Sequence, residues 1–413
     1  MVTGIGDCKD TNIVIPKTHN KEPVTAIASD AFKGTNIESV VIPEGVTSIG
    51  REAFSGCASL TSVTLPSSLT DIESGAFSYC TSLTSIVIPD GVEIIRDDTF
   101  YGCESLTSVT IPSSVKTIGD SAFCNCTSLT SIAIPNGVTD VKDSTFSGCT
   151  NLTSVEIPNS VRFVRFHTFY NCTKLESVTI PASVKSVETS AFDGCASLTS
   201  INVDANNEKY QSIDGNLYSK DGKTLYRYAI GKSDASFAIP AGVTTVDSYA
   251  FSYCANLTSI TISSSVTEIY NRCFDGCANI VNFIVDGDNL KFKTIDGNLY
   301  SKDGELLIKY AQGKTANSFA VPNGVLYIEQ YAFLNCVNLE SVTISASVKC
   351  IESSAFAGCT GLTSVVFEDP YGWKRNQSWS DTSGLSATFT DPAKNALWLT
   401  DDYVDFYMHK TSN

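Results

Sequence analysis

Histidine, methionine and tryptophan are scarce in this 413-residue chain, with three His, two Met and three Trp. His19, His167 and His409 fall in the first segment, the middle and the last segment, so a shared histidine site is not expected. The sequence has no G-x-x-x-x-G-K-[ST], H-E-x-x-H or G-x-S-x-G, which removes the usual signatures of phosphate cradling, zinc proteolysis and the elbow serine. No run of 18 apolar residues appears, and Met1 to Gly4 is not followed by the basic and apolar regions of a signal peptide. Basic residues are the minority, 28 against 44 acidic, for a formal charge of −16. That balance disfavours nucleic acid, whose binders present a clustered positive face, and mainly confers solubility.

Cysteine, by contrast, is abundant and periodic. From Cys57 it returns at Cys80, Cys103, Cys126, Cys149, Cys172 and Cys195, in steps of 23 residues. Such self-similarity is the mark of a solenoid or array. The unit reads C-x-x-L-x-S-[VI]-x-I-P-x-x-V-x-x-[IV]-x-x-x-[AT]-F-x-x. Leu106, Val109 and Ile111 have the spacing of a short strand, alternation turns Val109 and Ile111 inward, and Pro112, lacking an N–H, ends the ladder. Val115, Ile118 and Phe123 complete the core of one coil.

After Cys195 the phased cysteines are Cys254, Cys277, Cys336 and Cys359, so steps of 59 alternate with steps of 23. Two near copies fill the longer steps, YQSIDGNLYSKDGKTLYRYAIGK at 210–232 and FKTIDGNLYSKDGELLIKYAQGK at 292–314. Asp-Gly between apolar runs predicts a β-hairpin in each, turning at Asp221-Gly222 and Asp303-Gly304 and standing outside the coil stack.

The string LTSVTIPSSVKTIGDSAF, followed by a Cys-containing turn, resembles the BspA-like leucine-rich repeat of bacterial surface proteins, and the resemblance spans residues 37–367. DCKDTNIVIPKTHNKEPVTAI resembles that family's opening segment, and the stretch from Val366 with EDPYGW and ALWLTDDYVDFYM its closing module. The fold expected is a β-rich solenoid, a leucine-rich-repeat right-handed superhelix of 23-residue coils with two hairpin insertions and terminal caps. Its parts are a capping segment at 1–34, the solenoid at 35–367 with insertions near 204–236 and 286–318, and a capping segment at 368–413. The unbroken phase argues for one domain. The resemblance implies a bacterial, noncatalytic binding or adhesion module that recognises host or matrix proteins, secreted or displayed on a cell surface. The signal peptide would then be absent from this sequence. A structural spacer holding other domains away from the envelope is the alternative. No cofactor, nucleic acid or membrane span is expected, and the chain is expected to be a monomer.

The phased cysteines are expected to form a buried, mostly reduced column, because equivalent positions in stacked coils face one way and a disulfide needs converging Cβ atoms. Cys8, Cys124, Cys273 and Cys350 lie outside the phase, and Cys124-Asn-Cys126 lacks the further ligands tetrahedral zinc requires. Asp204, Asp286, Asp288, Asp296 and Asp303 cluster at the insertions in an order that does not fit the calcium loop of the EF-hand, and read as turn formers. Asn-Leu-Thr at 151 and 256 matches a glycosylation acceptor but belongs to the repeat.

Outward strand positions such as Ser62/Thr64, Ser85/Val87 and Ser108/Thr110 make a small, polar sheet without hot-spot anchors. One coil departs from consensus. VRFVRFHTFYNC puts Arg162, Phe163, Arg165, Phe166, His167 and Tyr170 where neighbours carry small or acidic residues, and Arg with aromatics is the interface-enriched combination. The insertion tyrosines Tyr218, Tyr226 and Tyr228, with Tyr300 and Tyr310, are the other candidates for partner binding.

Overall fold

The structure is a computed structural model that describes residues 1–6, 8–376, 385–402 and 407–410. It is a β-solenoid of about 15 coils. Each coil contributes two short strands, both parallel to their counterparts one repeat away. Ser39–Val41 pairs with Ser62–Thr64, and Ser48–Ile49 pairs with Asp71–Ile72, in each case Ser on Ser or its positional equivalent. The register follows from the repeat, because only an in-phase pairing keeps every apolar side chain on the buried face. Val40, Ile42, Val46, Ile49, Phe54, Cys57 and Leu60 of one coil are all at most 2% exposed.

The chain falls into two compact units, 1–221 with 228–232, and 222–227 with 233–413. In the first, the repeat phenylalanines form one continuous ladder from Phe32 through Phe54, Phe77, Phe100, Phe123, Phe146 and Phe169 to Phe192. Centroids lie 5.0–5.7 Å apart and planes within 11°. The buried cysteines run alongside, and their thiols are free. Each phased cysteine from Cys57 to Cys195 donates to the carbonyl of the core phenylalanine one coil back, as Cys80 does to Phe54 at 3.2 Å, Cys103 to Phe77 at 3.2 Å and Cys172 to Phe146 at 3.1 Å. The same carbonyls already accept the backbone amide of the cysteine in their own coil, as Phe54 does from Cys57 at 3.1 Å, so the thiol is a second, weak donor to each. Burial pushes these thiols up in pKa, Cys103 to about 12.

The hairpin expected at Asp303-Gly304 is present, with Asn298–Ser301 and Leu306–Lys309 antiparallel, but it does not stand outside the stack as expected. In the second unit Phe292–Ile295 and Asn298–Ser301 form a hairpin turning at Asp296-Gly297, and the chain turns again at Asp303-Gly304 into Leu306–Lys309. That third strand pairs in parallel with Tyr327–Ile328 as the second strand of a coil. Thr224–Arg227 does the same with Thr245–Val246, and the hairpin of the first copy, Tyr210–Ile213 with Asn216–Ser219, turns at Asp214-Gly215. The 59-residue step is thus a coil of 36 residues, Cys195 to Gly231 or Cys277 to Gly313, followed by an ordinary one of 23. Gly231 and Gly313 replace the phased cysteine because a Cβ there would strike backbone, at Ser197–Leu198 and Asn279 respectively. Each insertion is pinned by a buried asparagine. Asn289 donates to the carbonyls of Ser263 and Val266 and accepts from the amides of Lys291 and Phe292, all at 2.8–2.9 Å, and Asn207 repeats the pattern.

Both ends are covered. Asn12–Val14 pairs with Ser39–Val41, Val2 bridges Ile27, and Ile15, Val24 and Phe32 close the first core; Asp7 lies outside the described residues. At the other end Tyr407–Lys410 adds to Cys350–Ile351 in the antiparallel sense, and Trp373–Asn376 follows it, which ends the parallel ladder. The Trp373 ring, 2% exposed, meets Phe367 of the last coil edge-on at 5.2 Å, and Trp398 meets Phe389 at 5.7 Å. Asn395, on the helix Pro392–Leu397, donates to the carbonyls of Val365 and Phe389 and so covers the open edge of Ser364–Phe367. Trp373 therefore packs on the final repeat, as expected, and Trp398 joins the same apolar cluster through Phe389 of the closing segment, while Trp379 lies outside the described residues.

Candidate protein-binding surface

The aberrant coil places its unusual residues together. Phe163 occupies the outward position of the short strand Phe163–Val164 and is 39% exposed, and Phe166, on the following turn, is 44% exposed. Arg165 is held by Asp140 of the preceding coil through two hydrogen bonds, Nε to Oδ1 at 2.8 Å and Nη2 to Oδ2 at 2.7 Å, and its guanidinium lies 5.1 Å over the Phe163 ring. His167 packs 4.0 Å from Phe166 and 4.9 Å from Tyr170. Burial lowers the His167 pKa, and Asp193 and Asp143 oppose the shift, so the imidazole is held toward its neutral form. Arg162 is exposed, and Phe169 is fully buried in the phenylalanine ladder. Two half-exposed rings, a clamped guanidinium and a partly buried imidazole make a firm, mixed surface of the kind found at interface centres.

The insertion tyrosines require correction. Tyr218, Tyr228, Tyr300 and Tyr310 are at most 2% exposed, and only Tyr226 is half-buried. Tyr228 and Tyr310 occupy the repeat's phenylalanine position, and Tyr310 stacks on Phe333 at 5.4 Å. Burial pushes Tyr218 and Tyr310 up to about 12. These four rings belong to the core and are withdrawn as partner anchors. The Asp-Gly stretches act as turns: Asp303 Oδ1 accepts from Ser301 Oγ and the Glu305 amide.

Three arrangements were not legible from residue spacing alone. Arg227, fully buried, donates to the carbonyls of Tyr249 and Ser252 and to the Ser252 hydroxyl. Lys309, its counterpart in the second insertion, donates to the Tyr331 carbonyl at 2.7 Å. Arg272 lies over Tyr249 at 5.3 Å and Tyr331 at 4.8 Å, with its Nε 2.9 Å from Asp275. For Arg227 and Lys309 the signal was the offset of 82 residues that relates the two insertions, which places a cation at the same point of each copy; Arg272 has no such counterpart. Among the described residues no group of three or more His, Cys, Asp or Glu is placed to hold a metal ion, and no helix is long and apolar enough to cross a membrane.

Stacked parallel coils with an L-x-x-L-x-L core, closed at both ends by segments of different structure, define a leucine-rich-repeat solenoid. The model of the BspA type leucine-rich repeat region matches residues 25–151, 93–221, 223–307 and 309–392. The chain belongs to that family. It is similar to the crystal structure of a leucine-rich cell surface protein from Faecalibacterium prausnitzii, at 31% identity over 87% of this chain and 88% of that one, with a TM-score of 0.59. It is also similar to a leucine-rich repeat protein of T. pallidum, at 37% identity over 41% of this chain and 79% of that one, with a TM-score of 0.39. A leucine-rich repeat protein from Bacteroides ovatus matches at 24% identity over 86% of each chain, with a TM-score of 0.45. No curated protein matches the chain.

Proposed function

We propose that this protein is a noncatalytic adhesion module of a bacterial cell surface, and that Arg162, Phe163, Arg165, Phe166, His167 and Tyr170 form the centre of its contact with a host or matrix protein. The observation that carries the reading is the Arg165–Asp140 pair beneath Phe163. It fixes a charged and aromatic surface in one geometry, so little side-chain entropy remains to be lost on binding. The repeat family supports a protein-interaction role, and the Faecalibacterium neighbour, described as a cell surface protein, supports display. The neighbouring coils show which residues the fold accepts here. Thr117, two coils back, holds the place of Phe163, and Asp143, one coil back, that of Phe166.

The test is biolayer interferometry of the protein and of the variant Phe163→Thr/Phe166→Asp against a panel of extracellular-matrix and host-surface proteins. Saturable binding by the parent that falls about tenfold or more in the variant supports the reading, since a buried aromatic anchor contributes about 1.5–3 kcal/mol. Equal binding by parent and variant places the contact elsewhere. Absence of saturable binding to any of the panel favours the spacer.

A further inference from the structure

A second surface site lies in the first unit, on the face formed by the turns that precede each core phenylalanine. One residue per coil there has positive φ, and in successive coils these are Glu52, Gly75, Asp98, Ser121, Ser144 and His167. Gly75 contributes no side chain to this column. A cavity of about 280 Å3 opens beside it, between Glu52 and Asp98. The walls are the rings of Tyr79, 53% exposed, and Tyr101, set edge to face at 5.2 Å. The floor is Ser55 and Ser78, 8% and 6% exposed, with the Ser78 hydroxyl donating to that of Ser55 at 2.8 Å.

The carboxylates differ. Glu52 is engaged by Lys33 and Arg51. Among the described residues no ion pair engages Asp98, and no lysine or arginine lies over the ring of Tyr79 or Tyr101. Burial, reinforced by Asp97 and Asp120 and opposed by Arg51 at the cavity's rim, holds the Asp98 carboxyl above its ordinary value, which a further cation in direct contact would relieve. Elsewhere in the molecule the same two components hold a guanidinium. Arg272 occupies the corresponding positive-φ position of its own coil, lies over Tyr249 and Tyr331 and pairs with Asp275. Arg165 lies over Phe163 and pairs with Asp140.

We propose that the Tyr79–Tyr101 cavity receives an arginine or lysine side chain from a basic segment of a partner protein. The ring faces attract the cation, Asp98 pairs with it, and the serine floor limits the depth to one side-chain head. The net charge of −16 draws basic segments toward the protein without selecting a place; the cavity selects the place. This site is independent of residues 162–170.

Fluorescence anisotropy with a labelled hexa-arginine peptide tests the proposal, using substitutions that the repeat itself accepts. Tyr79→Asn installs the residue found at the equivalent Asn125 and Asn171, and Asp98→Ser the residue found at Ser121 and Ser144. Each variant should weaken binding about fivefold or more while melting as the parent does. Glu104→Gln, which removes one exposed charge elsewhere, should change binding by less than about twofold. Phe163→Thr/Phe166→Asp should bind the peptide as the parent does, which keeps this test separate from the adhesion surface. The proposal is overturned if Glu104→Gln weakens binding as much as Asp98→Ser, if both cavity variants bind like the parent, or if the parent binds without saturation.

Discussion

Replacing Gly148 by alanine probes how neighbouring coils are matched to one another. Just before the phased cysteine each coil has a second positive-φ position, and its occupants in the first unit run Gly56, Tyr79, Gly102, Asn125, Gly148, Asn171, Gly194. A bulky residue therefore alternates with glycine, a period of two coils. The reason is contact. A Cβ on Gly148 would overlap the Asn125 side-chain amide, and one on Gly102 would come within 2.9 Å of the Tyr79 ring. Gly148→Ala then carries two costs. The left-handed backbone, φ +72°, costs an alanine about 1 kcal/mol. Displacing Asn125, whose Nδ2 also donates to the Tyr101 hydroxyl at 3.3 Å, adds about 1–3 kcal/mol of overpacking. In the background Asn125→Gly only the first cost remains, so a double-mutant cycle should give a coupling of about 1–3 kcal/mol. Urea unfolding measures the cycle. Hydrogen exchange at the amides of Asn125 and Gly148, which donate to Ser147 and Tyr170 at 2.7 Å, localises it. A cost for Gly148→Ala that is unchanged by Asn125→Gly would refute the packing explanation of the alternation.

Thiol titration of the native protein should count one fast cysteine, Cys8, and all fifteen after denaturation without reductant; several fast thiols, or fewer than fifteen in total, would contradict the buried column. Because burial raises Cys103, Tyr218 and Tyr310 to about 12, the stability they lend is full below their ordinary values and is lost as pH rises through the folded ones. The melting temperature should accordingly fall between about pH 9 and pH 12, and a flat alkaline profile would refute the assignment. Asn289→Ala strips four hydrogen bonds from the base of the second insertion and should cost about 2–4 kcal/mol by urea unfolding; a loss under about 1 kcal/mol would show that the insertion is held by its apolar side chains alone. Trp373→Ala opens the end of the last core and should lower the melting temperature and increase binding of an apolar-surface dye, whereas an unchanged melt would make the tail an appendage and not a cap.

The repeat was legible because each of its signals is local. Val109 and Ile111 alternate, Pro112 stops the strand, and Phe123 and Cys126 return in phase, so the coil and its core could be read from one period. The insertions were misread for a related reason. Their Asp-Gly turns were visible, but Leu306–Lys309 was assigned to a projecting hairpin because the cysteine that marks a new coil is Gly313. A missing marker made one enlarged coil and one ordinary coil look like a single interruption. The same error sent Tyr228 and Tyr310 to the surface, since tyrosine reads as an anchor unless its phase reveals it as the core phenylalanine. The coil at 161–172 was visible as a departure from consensus. Its clamp on Asp140 was not, because the partner lies one coil back and only the stack brings 140 beside 165. The Tyr79–Tyr101 cavity was equally hidden, being made by a glycine whose meaning depends on side chains 23 residues away on either side.

The adhesion reading is tested most directly by hydrogen exchange of the protein in complex with any panel protein that binds it saturably. Peptides covering residues 162–170 are predicted to exchange more slowly in the complex, while those covering the serine and threonine positions of the first strands, such as Ser62–Thr64 and Ser108–Thr110, stay unchanged. Slowed exchange along those strands with none at 162–170 would contradict the account, because it would make the polar sheet the binding face and the aromatic coil a packing variant.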